Sequence, residues 1–123
     1  MVKKATGLQR IINATKYSLK GFKSAIINEA AFRQELILLI LAYIIVMLID
    51  FSIYERILLV GSIGFVMIVE LINSAIECVV DRIGSERHEL SGRAKDYGSA
   101  AVFLSLLLTL ILWIYLFACH FFP

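Results

Sequence analysis

The feature that most constrains the fold is an unbroken run of 23 residues without a charged side chain, from Tyr97 to Cys119. A helix of this length and polarity can cross the hydrocarbon core of a bilayer. The chain has 123 residues, of which 60% are hydrophobic and only 18% are charged, an apolar content well above that of soluble domains. The sequence therefore predicts a single-domain, all-α integral membrane protein.

Two further spans precede this run. Residues 36–49 are uncharged, but as a helix they reach only about 21 Å, which is too short for a bilayer. The first span must therefore extend back to residue 30. We predict three transmembrane helices and one polar cytoplasmic loop with these bounds: spans at 30–49, 53–83 and 96–120, and the loop at 84–95.

The segment 1–29 has the pattern of a surface helix. Apolar residues recur every three or four positions between Leu8 and Ile26, and Lys or Arg residues occupy the other faces. This is typical of a basic amphipathic helix in the headgroup region. Lys and Arg are frequent here and in the 84–95 loop, whereas the 50–56 turn holds only Arg56. The positive-inside rule predicts a multi-pass inner (plasma) membrane protein with a cytoplasmic N-terminus and a periplasmic C-terminus.

A polar stripe interrupts the end of the second span. Glu70, Asn73, Glu77 and Asp81 are spaced three, four and four residues apart, so they share one face of a helix. Counting about 1.5 Å per residue from the start of the span places Glu70 near the hydrocarbon boundary and Glu77 in the headgroup or water zone. Ionisable groups at this depth are costly, and the default expectation is a functional role.

Three classes of function are compatible with a carboxylate stripe at a charged membrane face. A lipid kinase needs Mg²⁺, cations for the phosphates and a group that takes the proton of the acceptor. A cation-coupled transporter subunit also uses a membrane carboxylate, and a small structural or regulatory membrane protein is the third class. The sequence contains no Walker A motif, kinase glycine-rich loop or His-Arg-Asp motif. The residues alone leave the three classes open.

The segment from Glu70 to Asp81 reads E-L-I-N-S-A-I-E-C-V-V-D and resembles the signature of the prokaryotic diacylglycerol kinase family. The following D-R-I-G-S-E-R-H-E-L-S-G-R-A-K-D-Y-G-S-A-A resembles the cytoplasmic loop of that family, and N-E-A-A-F-R-Q-E at 28–35 resembles an earlier segment of it. The resemblance covers nearly the whole chain, in order. The loop is more similar to Gram-negative diacylglycerol kinases than to the related undecaprenol kinases. Among the three classes, the resemblance selects a lipid kinase.

The resemblance implies a role for most of the polar residues. Glu70 would be the catalytic general base that takes the proton of the diacylglycerol hydroxyl, and Glu29 and Glu77 would hold the divalent metal. ATP would be bound by a larger set: Arg10, Tyr17, Glu29, Asn73, Glu77, Glu86, Arg87, His88, Lys95 and Asp96. The lipid substrate would be bound by Arg10, Ala31, Glu35, Glu70 and Ser99. For Asp81, an ion pair with Arg82 or Arg93 is an alternative to a role in the site.

The resemblance also implies the partners of the chain. ATP would be the co-substrate, Mg²⁺ the cofactor and diacylglycerol the phosphoryl acceptor, and no nucleic acid partner is expected. Three spans cannot enclose both a nucleotide and a lipid pocket, and the family implies a homotrimer with active sites at subunit boundaries. The alternatives are another lipid alcohol, such as undecaprenol, as the acceptor or, in a different class, a small cation-coupled transporter subunit.

Overall fold

The computed structural model describes residues 3–4 and 6–123, and these form four α-helices and no strand. The helices are α1 (Gly7–Asn28), α2 (Ala30–Leu48), α3 (Ile53–Ile83) and α4 (Glu89–Phe121). The last three are each long and apolar enough to cross a membrane. The prediction of an all-α membrane protein, with three spans after an N-terminal helix, is confirmed. Residues 1, 2 and 5 of the predicted surface segment lie outside the described part of the chain.

The unequal lengths of the spans determine which residues leave the hydrocarbon. α2 has 19 residues, whereas α3 and α4 have 31 and 33, or about 28, 46 and 50 Å at 1.5 Å per residue. A short turn joins α2 to α3, and Phe51 in this turn packs against Phe117 near the end of α4. The end of α2, the start of α3 and the end of α4 therefore lie together at one face of the membrane. The surplus length of α3 and α4 beyond about 30 Å of hydrocarbon lies at the opposite face.

The turn between α2 and α3 is fixed by a capping box. The Ser52 hydroxyl accepts a hydrogen bond from the Glu55 amide (3.2 Å), and the Glu55 carboxylate accepts one from the Ser52 amide (3.0 Å). The Arg56 guanidinium donates to the Ile49 carbonyl at 3.1 Å. These bonds satisfy backbone groups that helix ends otherwise leave without partners, so the chain reverses direction at a defined position.

Interhelical hydrogen bonds join α3 to α4 inside the membrane. The Trp113 indole N–H donates to the Leu59 carbonyl (3.2 Å) and to the Ser62 hydroxyl (3.0 Å), and the Thr109 hydroxyl donates to the Ser62 carbonyl (3.3 Å). In lipid the hydrophobic effect does not select one helix register over another, so such bonds and close packing specify how helices pair. They fix the mutual position of the two long helices.

A small apolar cluster joins the first three helices near the other face. Ala25 of α1, Phe32 of α2 and Met67 of α3 are buried together. Most of the remaining α1 surface is exposed in the single chain, including the apolar Leu8, Ile11 and Leu19. The surface helix is thus anchored to the spans through its C-terminal end.

α4 begins earlier than the sequence predicted. Its first residue is Glu89, so the segment 84–95, predicted as a loop, is irregular only over 84–88. The His88 ring nitrogen Nδ1 accepts a hydrogen bond from the Leu90 amide at 3.1 Å, and Glu89 pairs with Arg93 four residues later at 2.7 Å. A cap and an acidic residue in the first turn both stabilise a helix start. They outweigh the helix-weakening effect of Gly92.

Candidate active site

Glu29 is the single non-helical residue between α1 and α2. Its backbone is extended (φ −113°, ψ 106°), and its amide donates to the Ala25 carbonyl at 2.9 Å. The Arg33 guanidinium donates to the carbonyls of Ile26 and Ile27 at 2.9 and 3.0 Å, two groups that the end of α1 would otherwise leave unpaired. The half-buried Glu29 side chain is therefore held at a fixed elbow.

Glu35 on α2 and Glu70 on α3 are buried, with 7% and 8% of their surface exposed. The two carboxylates lie within electrostatic range of each other, and Glu70 is also within range of Glu29 and Glu77. Oε2 of Glu35 is buried and has no hydrogen-bond partner in the part of the chain that the structure describes. Carboxylates gathered in a water-poor region are costly unless a bound cation or substrate compensates them. This cluster has the character of a binding site.

Asn73 lies between the two carboxylates of α3 and is 8% exposed. Its Nδ2 donates to Oε1 of Glu77 at 3.3 Å, which orients that carboxylate. Its Oδ1 is buried, has no hydrogen-bond partner among residues 3–4 and 6–123, and faces Gly98 of α4. A Cβ atom added at Gly98 would collide with this oxygen and would lie 3.2 Å from Cγ of Asn73. Only a glycine lets α4 approach this closely, so packing at Gly98 fixes the Asn73–Glu77 pair.

Lys95 and Asp81 form an ion pair across the seam between α4 and α3, with Nζ 2.8 Å from Oδ1. The alternative in which Asp81 pairs with Arg82 or Arg93 is wrong. Arg93 is bound to Glu89 instead, because the early start of α4 places these two residues one turn apart. Lys95 is also within electrostatic range of Glu77. The predicted phosphate-binding lysine therefore lies beside the carboxylate cluster.

A cavity of ≈ 610 Å³ opens at the loop between α3 and α4. Asp81 and Lys95 line it from the helices, and Glu86, Arg87 and His88 line it from the loop. The volume is within the range of small-molecule sites, and the lining carries charges of both signs. Four of the predicted ATP-binding residues thus share one cavity: Glu86, Arg87, His88 and Lys95.

Arg10 and Tyr17 lie elsewhere, on the exposed N-terminal half of α1. They line a second cavity, also of ≈ 610 Å³, together with Lys3, Lys4 and Asn13. Over residues 3–4 and 6–123, the two cavities have no lining residue in common. A single chain does not bring Arg10 and Tyr17 to the cavity that holds Lys95.

On the membrane side, an apolar groove of ≈ 540 Å³ runs between α2, α3 and α4. Glu35 is the one charged residue of its described lining, and Val66, Leu106 and Trp113 are among its apolar walls. This groove could not be predicted from the sequence, because no local pattern shows which residues of three helices lie together. Ala31 is half-buried and Ser99 is exposed, and neither lines the groove. A carboxyl group beside apolar walls matches an amphiphile with a polar head and acyl chains.

Comparison with known proteins decides among the classes of function that the residues left open. The family model of prokaryotic diacylglycerol kinase matches residues 16–117. This chain belongs to the prokaryotic diacylglycerol kinase family. The diacylglycerol kinase of Escherichia coli (strain K12) is 54% identical over 121 residues, which are 98% of this chain and 99% of that protein. Those of Haemophilus influenzae and Helicobacter pylori are 54% and 39% identical over 110 residues, 89% of this chain and 93% and 86% of the relatives.

The resemblance found in the sequence is confirmed. Every predicted site residue except Arg10 falls inside the part of the chain that matches the prokaryotic diacylglycerol kinase family. The structure gathers one group in the carboxylate cluster: Glu29, Glu35, Glu70, Asn73 and Glu77. A second group lines the loop cavity, as described above. A third group lies in neither place: Arg10, Tyr17, Ala31, Asp96 and Ser99.

Proposed function

We propose that this protein is an ATP-dependent diacylglycerol kinase, which converts sn-1,2-diacylglycerol and ATP to phosphatidic acid and ADP. The observation that carries the proposal is the position of the buried Glu70. On the membrane side of it lies Glu35 with the apolar groove, and on the other side the Asn73–Glu77 pair leads toward Lys95. A lipid hydroxyl can approach Glu70 from one side and a nucleotide from the other. Relatives named diacylglycerol kinase support the same substrate class.

In the proposed reaction, Glu70 accepts the proton of the primary hydroxyl of diacylglycerol. The hydroxyl oxygen forms a bond to the γ-phosphorus of ATP. The bond between that phosphorus and its bridging oxygen to the β-phosphate breaks, and the electron pair leaves with ADP. The transferred group carries negative charge on its outer oxygens, and cations that neutralise this charge supply most of the catalysis. Lys95 is the cation of this chain that we assign to those oxygens.

The residues present fit Mg²⁺. Mg²⁺ prefers oxygen ligands and is usually held by one or two carboxylates together with substrate phosphates and water. Glu29 and Glu77 supply two carboxylates near Glu70, and Asn73 donates to Glu77 and orients it. In the described chain no group of three or more His, Cys, Asp or Glu side chains can hold a metal ion, so ATP and water would supply the other ligands. When bound, the metal would neutralise charge on the β- and γ-phosphates.

The nucleotide and lipid would occupy different parts of the site. We assign the loop cavity to ATP, with Glu86, Arg87 and His88 around the nucleoside and its phosphates toward Lys95. Asp96 follows Lys95 on α4 and would contact the nucleotide at the same end. Glu35 and Ala31 on α2, with Ser99 on α4, would face the glycerol portion of the lipid. The first turns of α2 and α4 lie at the membrane face that holds the loop cavity.

We also propose a homotrimer in the inner membrane, with the site completed between subunits. The separation of the α1 cavity from the loop cavity within one chain supports this assembly, because it would let Arg10 and Tyr17 of one subunit contact the nucleotide of another. The distribution of Lys and Arg supports a cytoplasmic N-terminus and a periplasmic C-terminus. The loop cavity would then open to the cytoplasm, where ATP is available.

Transfer of label from γ-labelled ATP to lipid tests the proposed function. Purified protein in mixed micelles is given diacylglycerol or undecaprenol at equal mole fraction, with Mg²⁺ in excess. We expect labelled phosphatidic acid and a much slower reaction with undecaprenol. Faster labelling of undecaprenol would identify undecaprenol, rather than diacylglycerol, as the phosphoryl acceptor. Cation flux in liposomes without ATP, and no labelled lipid, would assign the transporter class.

A further inference from the structure

The ion pair between Lys95 and Asp81 joins α4 to α3 at the loop cavity. Four other contacts fix α3 against α4, and the residue numbers in each add to between 171 and 175: Gly98 with Asn73, Thr109 with Ser62, and Trp113 with both Leu59 and Ser62. A nearly constant total is the mark of an antiparallel pair. The same register places the backbone of Lys95 opposite positions 76–80 of α3, a stretch that starts beside Glu77 and ends beside Asp81.

Asp81 lies four positions beyond Glu77 on α3, about 6 Å at 1.5 Å per residue. Of these two carboxylates, that of Asp81 is paired with the Lys95 ammonium, at 2.8 Å, and that of Glu77 lies within electrostatic range of it. Both Asp81 and Lys95 line the loop cavity, whereas Glu77 does not. The pair with Asp81 thus keeps the lysine ammonium at the cavity, a direction that the tilt of helical side chains toward the N-terminus of α4 also favours.

We propose that Asp81 is a positioning residue for phosphate binding, which holds the Lys95 ammonium at the loop cavity and away from Glu77. The inference rests on the proposed function, because it takes the loop cavity as the nucleotide site. An ammonium group has three donors, so one bond to Asp81 leaves two for phosphate oxygens. Without Asp81, Lys95 still lies within electrostatic range of Glu77, and an ion pair there would occupy both a phosphate ligand and a candidate metal ligand.

Equilibrium binding of a non-hydrolysable ATP analogue, at fixed excess Mg²⁺ and without lipid, tests the inference. Asp81→Asn keeps the side-chain shape and removes the charge. We expect the Kd of the analogue to rise about two- to fivefold, the range that partly exposed ion pairs reach. The KM for ATP should rise by the same factor, with kcat changed less than about twofold. Asp81→Glu, which keeps the carboxylate, should restore a Kd close to that of the wild type.

Two comparisons separate positioning from a general effect of charge. In a Lys95→Gln background, Asp81→Asn should cause no further rise in Kd, because the group it positions is gone. Glu89→Gln removes the same charge at the rim of the same cavity but breaks the pair with Arg93 instead, so its effect on Kd should be clearly smaller. An unchanged Kd in Asp81→Asn, an undiminished rise in the Lys95→Gln background, or an equal rise in Glu89→Gln would each overturn the inference.

The same measurements distinguish this inference from the proposed function. If the wild-type protein labels a lipid other than diacylglycerol, the assigned acceptor is wrong, and the binding comparison still decides the role of Asp81. If the wild-type protein binds no ATP analogue, both the nucleotide site and the role of Asp81 are wrong.

Discussion

At the level of single residues, Asn73 connects the packing of the membrane helices to the chemistry of the site. One end of its amide group donates to Glu77, and the other end lies against the backbone of α4 at Gly98. A change at Gly98 therefore alters the orientation of a candidate metal ligand that it does not touch. The contact works because glycine has no Cβ atom, which allows a backbone approach that membrane helices commonly use.

We predict that Gly98→Ala lowers the thermal stability of the protein in detergent, because the new methyl group collides with the Asn73 amide. Overpacking of this kind typically costs about 1–3 kcal/mol. Combining it with Asn73→Ala, which removes the obstructing atoms, should recover most of the lost melting temperature. Gly92→Ala is the matched control on α4, since a Cβ atom there meets nothing within 4 Å. A melting temperature for Gly98→Ala equal to that of Gly92→Ala would contradict the packing argument.

A second prediction concerns Glu77 and the metal. Glu77→Gln removes a charged ligand, so the Mg²⁺ concentration for half-maximal activity should rise about tenfold or more, as is typical when metal sites lose even a supporting group. Asp50→Asn removes the same charge from an exposed position in the turn at the far face and should leave the Mg²⁺ dependence unchanged. Equal Mg²⁺ requirements in Glu77→Gln and wild type would argue against a ligand role.

The polar stripe on α3 could be predicted from its spacing, because three- and four-residue steps place side chains on one helix face. The ion pair of Asp81 with Lys95 could not be predicted in this way. It depends on which face of α4 packs against α3, and the spacing of residues within α3 does not determine that face. The buried position of the Asn73 oxygen likewise could not be predicted, since this oxygen lies against Gly98 on another helix.

At the level of elements, the elbow between α1 and α2 determines where Glu29 lies. Arg33 reaches back from the first turn of α2 and caps the last carbonyls of α1. A cation at a helix C-terminus is favoured both by these hydrogen bonds and by the helix dipole. The surface helix and the first span are therefore joined at a fixed angle, although only one residue between them is non-helical.

We predict that Arg33→Gln loosens this elbow, because the shorter amide side chain cannot reach both carbonyls. Hydrogen exchange of the backbone amides in the last two turns of α1 should become faster than in wild type. Lys23→Gln removes a positive charge from an exposed position of the same helix and should leave exchange at the elbow unchanged. If exchange in Arg33→Gln matches that of Lys23→Gln, the capping bonds do not stabilise the elbow.

The bounds of the elements were predictable where apolar runs change to polar ones. α2 and α3 begin at the predicted residues 30 and 53. The predicted start of α4 is seven residues too late, because the polar segment 84–95 contains two glycines and its composition predicts a loop throughout. His88 and Glu89 supply the cap and the first-turn charge that start the helix there. The cap residue and the acidic first-turn residue are both present in the sequence, but the polar, glycine-containing composition of the segment favours a loop.

At the scale of the whole molecule, one chain holds the carboxylate cluster and the loop cavity together but leaves Arg10 and Tyr17 apart. We predict that light scattering of the purified protein, corrected for bound detergent, gives the mass of three chains of 13.9 kDa. A monomer that retains full activity would show that the site does not need a neighbouring subunit. The candidate residues of the site follow from the family resemblance, whereas the subunit that would supply each of them does not follow from a single sequence.

The central claim is that Glu70 takes the proton of the lipid hydroxyl during phosphoryl transfer. Its most direct test is the single-turnover rate of label transfer from ATP to diacylglycerol, measured for wild type and Glu70→Gln at saturating Mg²⁺. Loss of a general base should slow the chemical step by about 10²–10⁴-fold, while the variant remains a folded oligomer and binds the ATP analogue with nearly unchanged Kd. A Glu70→Gln rate close to that of wild type would contradict the claim.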